Sequence, residues 1–600
     1  SGSSNIQRDH TALRRLSAGS MNDFGVGIES QWHLFRLLGI VEPEGVKSYL
    51  NANMYEKGAQ IGIDTRYQGR KEDRSYAGTI RLDAVYDRSG ADSFGDTRKN
   101  LNASKHRGRM LARHKEYLPG DWELQGEFSW LSDRNFLEKF YPGEFWAGKE
   151  QENLIYAKKQ RDNWAVTALA KVRLNKFLTQ TEKLPEVSGY LIGEPLFDDR
   201  VVYYGEAHVG MVRHALDNGH WTQGFGSSLS PEKGEATFRA DLRNEINIPL
   251  SVETQWGNMN VVPFATARVT HYSDMPSKGA ATASYMTPAQ ALNYWAPRVA
   301  AKGIPATLAE ARGSGDKTRL YGNVGVRMNT TLHRSYAAQS RMLDIHGLRH
   351  IITPEIVAFA STTNVDPEEN YHYDDSIESH LRTNTGVSFG LYNRLQTKRG
   401  PAGSRQTVDW MRFNVIAGFF GNSDEAENGG DGMMFFSRPE LSRQRSFLYG
   451  EYLWNVSDAI TFMADANYDM EDSQLDTLNF GLAVRRDPRL RYYLGLRHID
   501  KFNSTIGVFG MSYQINKKFT IRLREEYDFT YRGGVSNSTE ISLIRKLPRW
   551  YVGLTLGHSA RYQGSDEVTL MLTLWPEGVP ELFLNAGRMN YGKSSKIGRA

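Results

Sequence analysis

The stretch ATFRADLRNEINIPL (residues 236–250) puts Phe238, Ala240, Leu242, Ile246 and Ile248 on one parity, and Arg239, Asp241, Arg243, Glu245 and Asn247 on the other. Successive side chains of a strand point to opposite faces, so a strand here has one aliphatic face and one charged face. Two architectures accept such a strand. A soluble sandwich turns the aliphatic face to its core and the charged face to water. A membrane barrel turns the aliphatics to lipid and the charges to a wet lumen.

Repetition of the pattern decides between them. TIRLDAVY sets Ile80, Leu82, Ala84 and Tyr86 against Arg81 and Asp83; WELQGEFSW sets Trp122, Leu124, Phe128 and Trp130 against Glu123, Gln125, Glu127 and Ser129. LYGNVGVRMNTTL places Arg327 on its polar parity, and TIRLREEYDF places Arg522, Arg524, Glu526 and Asp528 there. About 26 such segments of about 8 to 14 residues run along the chain, the lengths that tilted membrane strands need. Short links such as EKG (56–58) and RDN (161–163) alternate imperfectly with long polar excursions near 89–106, 133–151, 214–235, 273–316 and 362–383. Counted along the strands, these five fall at one end of the sheet, as expected of a barrel with short periplasmic turns and long external loops. The expected fold class is therefore all-β: a large closed antiparallel transmembrane β-barrel of about 26 strands with long extracellular loops.

Composition supports this class and removes others. The 600 residues carry 73 Lys and Arg against 69 Asp and Glu, a balance of +4 that gives no argument for nucleic acid. Mean hydropathy is −0.53, and no uninterrupted apolar run approaches the roughly 18 residues of a spanning helix. The chain has no cysteine, which excludes disulfides, thiolate metal sites and cysteine nucleophiles. Tyr, Phe and Trp often end strands, as at Trp32, Trp130, Tyr272, Trp454 and Trp575, and are read as belts at the lipid–water boundary. In the excursion 273–316, TPAQALNYWAPRVAAKGIPATLAEAR starts with Thr287 as N-cap, Pro288 at the first helical position and Gln290 closing a capping box. Short helices are expected there.

No phosphate loop, nucleophile elbow, HExxH or dinucleotide fingerprint occurs. No enzymatic activity, cofactor or metal site is expected. His346 and His350 would share a face of an extended segment, where no nearby carboxylate is expected, and are read as solvated or satisfied. In KHRGRMLARHKEYL, Arg107, Arg109 and Arg113 form a basic ladder suited to phosphate or carboxylate groups, or else lumenal charge balanced by Glu123 and Glu127. The loop NVDPEENYHYDDSIESH holds Asp366, Glu368, Glu369, Asp374, Asp375 and Glu378; its spacing fits no defined cation site, and a solvated acidic loop is expected. The lumen-lining set is thus Arg107, Arg109, Arg113, Glu123, Glu127, Arg239, Asp241, Arg243, Glu245, Arg327, Arg522, Arg524 and Glu526.

Between residues 121 and 187 the elements SDRNFLE, KEQEN, DNWA and TEKLPEV follow in an order that resembles the LptD family of outer-membrane lipopolysaccharide-assembly barrels. LRHIITPEI (348–356), DDSIESHLRTNTGVSFGLYNRLQTK and NDFGVGIESQWHLFRLLGI are similar to further segments of the family, so the resemblance covers most of residues 22–400. It implies a barrel that receives lipopolysaccharide from periplasmic bridge proteins and carries an LptE-like lipoprotein plug. It also implies that the lipid part leaves sideways, between first and last strands, into the outer leaflet. The family's periplasmic jellyroll is missing before residue 1, which suggests a truncated or processed chain, and the disulfide cysteines of some members are absent. The expected organisation is a lead-in or first strand over 1–21, the barrel over 22–587 and a tail over 588–600. The gate is placed at Phe24, Val26 and Ile28 on one side and Val568, Leu570, Leu572 and Pro576 on the other. A general diffusion or glycan-uptake porin is the rival reading.

Overall fold

The computed structural model describes residues 12–21, 24–71, 74–89, 92, 104–178, 180–215, 236–255, 257–276, 314–366, 373–378, 381–421, 445–487, 489–500, 503–530, 534–560 and 566–577. The fold is all-β, a closed antiparallel β-barrel of 26 strands. Its first segments are β1 (Leu13–Met21), β2 (Gly25–His33), β3 (Val46–Tyr55), β4 (Gly58–Lys71), β5 (Arg74–Asp87), β6 (His106–Leu118), β7 (Trp122–Leu131), β8 (Leu154–Arg161), β9 (Trp164–Lys171) and β10 (Gln180–Leu196). Then come β11 (Val201–Ala215), β12 (Thr237–Asn247), β13 (Leu250–Thr254), β14 (Gly257–Pro276), β15 (Ser314–Thr330), β16 (Leu332–Ser340), β17 (Ile345–Thr363), β18 (Asn384–Arg399) and β19 (Gln406–Phe420). The last are β20 (Phe447–Ser457), β21 (Ile460–Asp469), β22 (Gln474–Asp487), β23 (Leu490–Ile499), β24 (Ser504–Gln514), β25 (Phe519–Asp528), β26 (Val535–Leu547), β27 (Trp550–Ser559) and β28 (Glu567–Pro576). β12 and β13 pair successively with β14, and β15 and β16 with β17, so each couple is one interrupted strand and 28 segments make 26 strands.

Two compact units divide the chain: residues 1–157 with 510–527 and 535–600, and residues 158–509 with 528–534. In the first, β1 pairs antiparallel with β2 on one side and with β28 on the other, which closes the sheet. The alternation read from the sequence appears as alternating exposure. On β5, Ile80, Leu82 and Tyr86 are exposed while Thr79, Asp83, Val85 and Asp87 are buried. On β12 in the second unit, Phe238, Leu242 and Ile246 are exposed while Arg239, Asp241 and Glu245 are buried. Rows of exposed aliphatics of this extent require lipid rather than water against them.

The long connections fall together within each unit. Those after β5 and β7 share an end of the first unit, and those after β11, β14 and β17 share an end of the second, as does the connection after β19, which the sequence reading did not single out. The two short links are tight turns. Gly58 has φ +157°, and a Cβ there would sit 2.1 Å from the Tyr86 carbonyl oxygen. Asp162 takes φ +44°, a left-handed conformation that Asp tolerates. The helices expected around 287–312 lie outside the described residues.

Two expectations need correction. Tyr272 and Trp575 are fully buried and do not belong to a lipid-boundary belt. Both sit on the polar parity of their strands: Tyr272 donates to Glu378 Oε1 at 2.9 Å, and Trp575 stacks on Tyr551 at 5.5 Å. The seam is also one strand removed from its expected place. The strand carrying Val26 and Ile28 pairs with β1 and β3, and it is β1 that meets β28.

Candidate functional site

In each unit a long connection folds back onto the polar face of the sheet. In the first, residues 132–153 form α2 (Phe136–Phe140) and α3 (Pro142–Trp146) between β7 and β8; the earlier turn α1 (Leu34–Leu37) follows β2. α2 is apolar on the side that buries Phe136, Leu137 and Phe140. The Phe140 ring meets Phe24 at 5.6 Å, so Phe24 packs against this loop rather than standing at a lipid-facing edge.

The charges beneath α2 and α3 are paired throughout. Arg107 donates to Asp133 Oδ2 at 2.9 Å, Asp92 Oδ1 at 3.0 Å and Asp87 Oδ2 at 3.2 Å. Lys139 on α2 reaches Asp87 and Asp92, each at 2.7 Å, so two cations share three carboxylates. Arg109 donates to Asp83 Oδ2 at 2.6 Å and Glu144 Oε2 at 2.8 Å, with its guanidinium 3.7 Å from the Tyr141 ring centroid. Arg81 also binds Glu144, at 3.0 Å. Burial alone would raise the Glu144 carboxyl, but Arg109 and Arg81 outweigh it and hold it below its ordinary range. Burying this many charges is tolerable only because each is paired and hydrogen-bonded. Arg113 is more open and binds Glu127 at 3.0 Å; Glu123 takes Lys115 at 3.0 Å.

In the second unit, α4 (Asp375–Glu378) lies across β12, β14 and β15, and Tyr373 and Asp374 just before it meet β10. Arg239 donates to Glu378 Oε1 at 2.8 Å and Glu186 Oε2 at 2.5 Å, while Lys183 holds Glu186 and Asp374 at 2.9 and 3.3 Å. Arg268 makes a bidentate pair with Asp241, both bonds 2.8 Å, and donates to the Ser376 carbonyl at 3.1 Å. Arg319 donates to the Ile377 carbonyl. Tyr373 closes the assembly, bonded to Thr237 at 2.7 Å and packed with Val212, Tyr272 and Met275. The expectation of a solvated acidic loop therefore fails for Asp374 and Glu378, whose carboxylates are taken up by cations of the sheet. Among the described residues no group of three or more His, Cys, Asp or Glu is arranged to hold a metal. His346 does have a carboxylate neighbour, Asp344 at 3.6 Å, contrary to the sequence reading.

The remaining polar-face residues are more open. Arg243 pairs with Glu245, and Arg327 reaches Glu245 at 3.2 Å and Asn247 at 3.1 Å. Arg522, Arg524 and Glu526 share one parity of β25, with Arg524 exposed. Sequence reasoning missed the carboxylates Asp87, Asp92 and Glu144 and the set Glu182, Lys183 and Glu186, and it named Asp83 and Glu378 without their cation partners. It also missed a hydrogen-bonded row in which Ser188 Oγ meets His208 Nδ1 and His208 Nε2 meets Glu206 Oε1, each at 2.8 Å. Strand parity flags the strand-borne members as polar except Lys183, which a register shift between Lys183 and Glu186 brings to the same side; only the folding of the loops brings the others to them.

The seam is short. β1 and β28 share six register pairs, Leu16↔Leu574 to Met21↔Thr569, against seven between β2 and β3, ten between β27 and β28 and fourteen between β4 and β5. Ser17 Oγ donates to Thr573 Oγ1 at 3.0 Å, and Gly19 lies so close that a Cβ would sit 2.1 Å from the Leu570 carbonyl oxygen. Ala18 faces Leu572 and Ser20 faces Leu570; Val568, Leu570 and Leu572 are about half exposed, and pairing stops at Leu574, before Pro576.

The ion pairs of α4 give a pH expectation. Burial would raise Asp374, but Lys183 and Arg239 dominate and hold it at about 2, below its ordinary 3.8. A carboxyl depressed on folding contributes stability that is present above its unfolded value and lost as pH falls through its folded value. Hydrogen exchange at 373–378, referred to intrinsic rates, should therefore stay constant from neutral pH to about 4 and rise only towards about 2. A rise beginning near neutral pH would contradict the pairing.

A family model described as LptD, LPS transport system D, matches residues 105–519. The match runs well past residue 400, where the quoted sequence motifs end. A search of curated proteins finds no match. Among solved structures, the siderophore receptor PirA from Pseudomonas aeruginosa is 9% identical over 94% of this chain and 80% of its own, with a TM-score of 0.27. The FrpB iron transporter from Neisseria meningitidis gives 8%, 94%, 81% and 0.29, and OccAB1 from Acinetobacter baumannii gives 10%, 94%, 94% and 0.27. Likeness at those scores carries no argument.

Proposed function

The chain belongs to the LptD family, and from that premise we propose that it inserts lipopolysaccharide into the outer leaflet of the outer membrane by parting β1 from β28. That it is an outer-membrane barrel of the lipopolysaccharide transport system follows from the family and the fold; the family is one of transport barrels rather than enzymes. The lateral route is our reading, and the six-pair seam carries it. Acyl chains cannot follow a charged lumen, and every backbone group unpaired in hydrocarbon costs several kcal/mol, so a passage to lipid belongs where few pairs must break. In this reading Val568, Leu570 and Leu572 line one edge of the gate, and Leu16, Ala18 and Ser20 the other. Val26 and Ile28 move with β1 as its support.

The same proposal assigns the glycan to the polar face, with an LptE-like lipoprotein as plug and periplasmic bridge proteins as suppliers. A folded loop covers part of the polar face in each unit. The cations open to a passing phosphorylated glycan are Arg113, Arg243 and Arg327, whose side chains are 28, 31 and 40% exposed; those of Arg107 and Arg239 are sealed. Photo-reactive residues placed singly at 113, 243 and 327 should crosslink lipopolysaccharide in working cells, and those at 107 and 239 should not. Crosslinking at none of the open positions while delivery continues would remove the lumenal route.

A further inference from the structure

We propose that the short-turn end of the first unit carries a surface for anionic phospholipid headgroups of the periplasm-facing leaflet, set on both sides of the β1–β28 seam. On the β28 side the lipid-facing row of β26 runs Ile541, Leu543, Arg545, all exposed. The aliphatic row ends on a guanidinium, which lies 5.5 Å from the Phe519 ring centroid. Beyond it Lys546, at the end of β26, is exposed, as are Lys517, Lys518 and Arg549 in the adjoining turns. They are held together by the main chain: the Lys546 amide donates to the Lys518 carbonyl at 2.7 Å, and the Glu577 amide to the Arg549 carbonyl at 2.8 Å. Glu577, bonded to Lys546, is the one carboxylate among the described residues of these turns. A cluster of cations at the rim of an apolar face, over aromatic rings, is the composition that captures phosphate at the headgroup level.

On the β1 side, α1 and the residues after it present the apolar half of the same boundary. Leu38, Ile40 and Val41 are 59, 55 and 87% exposed, at the end of a strand whose lipid-facing row begins with Val26 and Ile28. Beside them a groove of ≈ 860 Å³ is lined by Ile40, Val41 and Val46, by the cations Arg36, Lys47 and Arg66, and by the carboxylates Glu42 and Glu44, a balance of one positive charge. Exposed hydrophobic side chains where transmembrane strands leave the bilayer match a lipid surface, and the cations beside them outnumber the carboxylates. This end is the periplasmic one because it carries short turns such as 548–549 and 119–121, while the long connections leave the opposite end. The surface fixes both neighbours of the seam at one depth in the leaflet. It stands whether or not the seam opens.

The test uses the folded full chain, with barrel integrity read from heat-modifiable mobility. Native mass spectrometry should show the protein retaining phosphatidylglycerol over phosphatidylcholine by about fivefold or more, with the preference falling as salt screens the cations. The variant K517Q/K518Q/R545Q/K546Q/R549Q should lose that preference while its retention of lipid A is unchanged. Equal retention of phosphatidylglycerol by variant and parent would overturn the proposal, and loss of lipid A alone would assign the cations to the transported lipid instead. A single label tests the other side without altering the charges: Val41→Cys introduces the chain's only thiol. A fluorophore there should be quenched by nitroxides placed just below the headgroups of vesicle lipids. A label quenched only by water-soluble quencher would overturn the α1 half.

Discussion

Oxidation of the double variant Ser17→Cys/Thr573→Cys should abolish lipopolysaccharide delivery and leave the barrel folded. The two hydroxyl oxygens already lie 3.0 Å apart across the seam, and the residues are register partners, so sulfur atoms replacing them come within bonding reach with little backbone movement. No other cysteine competes. A lipid that binds the parted edges can offset broken hydrogen bonds, because new contacts and neighbouring lipids replace them; no binding energy available to a lipid breaks a covalent bond. The matched control is Ser542→Cys/Thr555→Cys, whose hydroxyls are 2.8 Å apart between β26 and β27, equally buried and equally register-paired. Oxidised, the control should deliver at the parental rate, and reduction should restore the seam variant. Surface lipopolysaccharide is the readout. Full delivery through a quantitatively oxidised seam would remove the lateral gate, and loss in both variants would point to barrel rigidity instead.

Strand faces were legible because parity is fixed by local backbone geometry. Leu242 and Arg243 point oppositely whatever their partners, and the exposure of β12 follows that rule. The seam strand was not legible for an equally local reason. LRRLSAGSM has two adjacent arginines after Leu13, shifts register between Leu13 and Arg15, and continues through Ser17, Ala18, Gly19 and Ser20, which offer no contrast between faces. VGIES, with Val26 and Ile28 standing out, reads as the first strand although it is the second. The boundary aromatics were misread because position near a strand end was weighed above parity, and parity places Tyr272 and Trp575 inside. The loops were beyond reach of pattern altogether. Asp133 meets Arg107 across 26 residues and Glu378 meets Arg239 across 139, and no spacing rule links such pairs. Yet the stretches that carried the family resemblance supply these networks: SDRNFLE contributes Asp133, TEKLPEV contributes Glu182, Lys183 and Glu186, and DDSIESH contributes Asp374 and Glu378.

The largest expected loss of stability is at Arg239. Arg239→Met keeps much of the volume and removes the cation that faces Glu186 and Glu378, whose side chains are 9% and 0% exposed. Glu186 retains Lys183, and Glu378 retains the Tyr272 hydroxyl and the Asp374 amide, so neither loses every partner. The charge on Glu378 nevertheless becomes unbalanced where water does not reach, and breaking a buried pair in this way costs about 3–5 kcal/mol. The half-open pair Arg243–Glu245 is the contrast: Arg243→Ala should cost under about 1 kcal/mol, because solvent already screens it. Denaturant unfolding followed by tryptophan fluorescence measures both. The double variant Arg239→Met/Glu378→Met should regain part of the loss, since it removes the stranded carboxylate with its partner, and the difference from additivity gives their coupling. Hydrogen exchange at 373–378 should rise in Arg239→Met before any strand of the sheet opens, because α4 is held to β12 chiefly by this cation. If the single variant unfolds like the parent and α4 stays protected, the ion pairs are not what keeps that loop on the polar face.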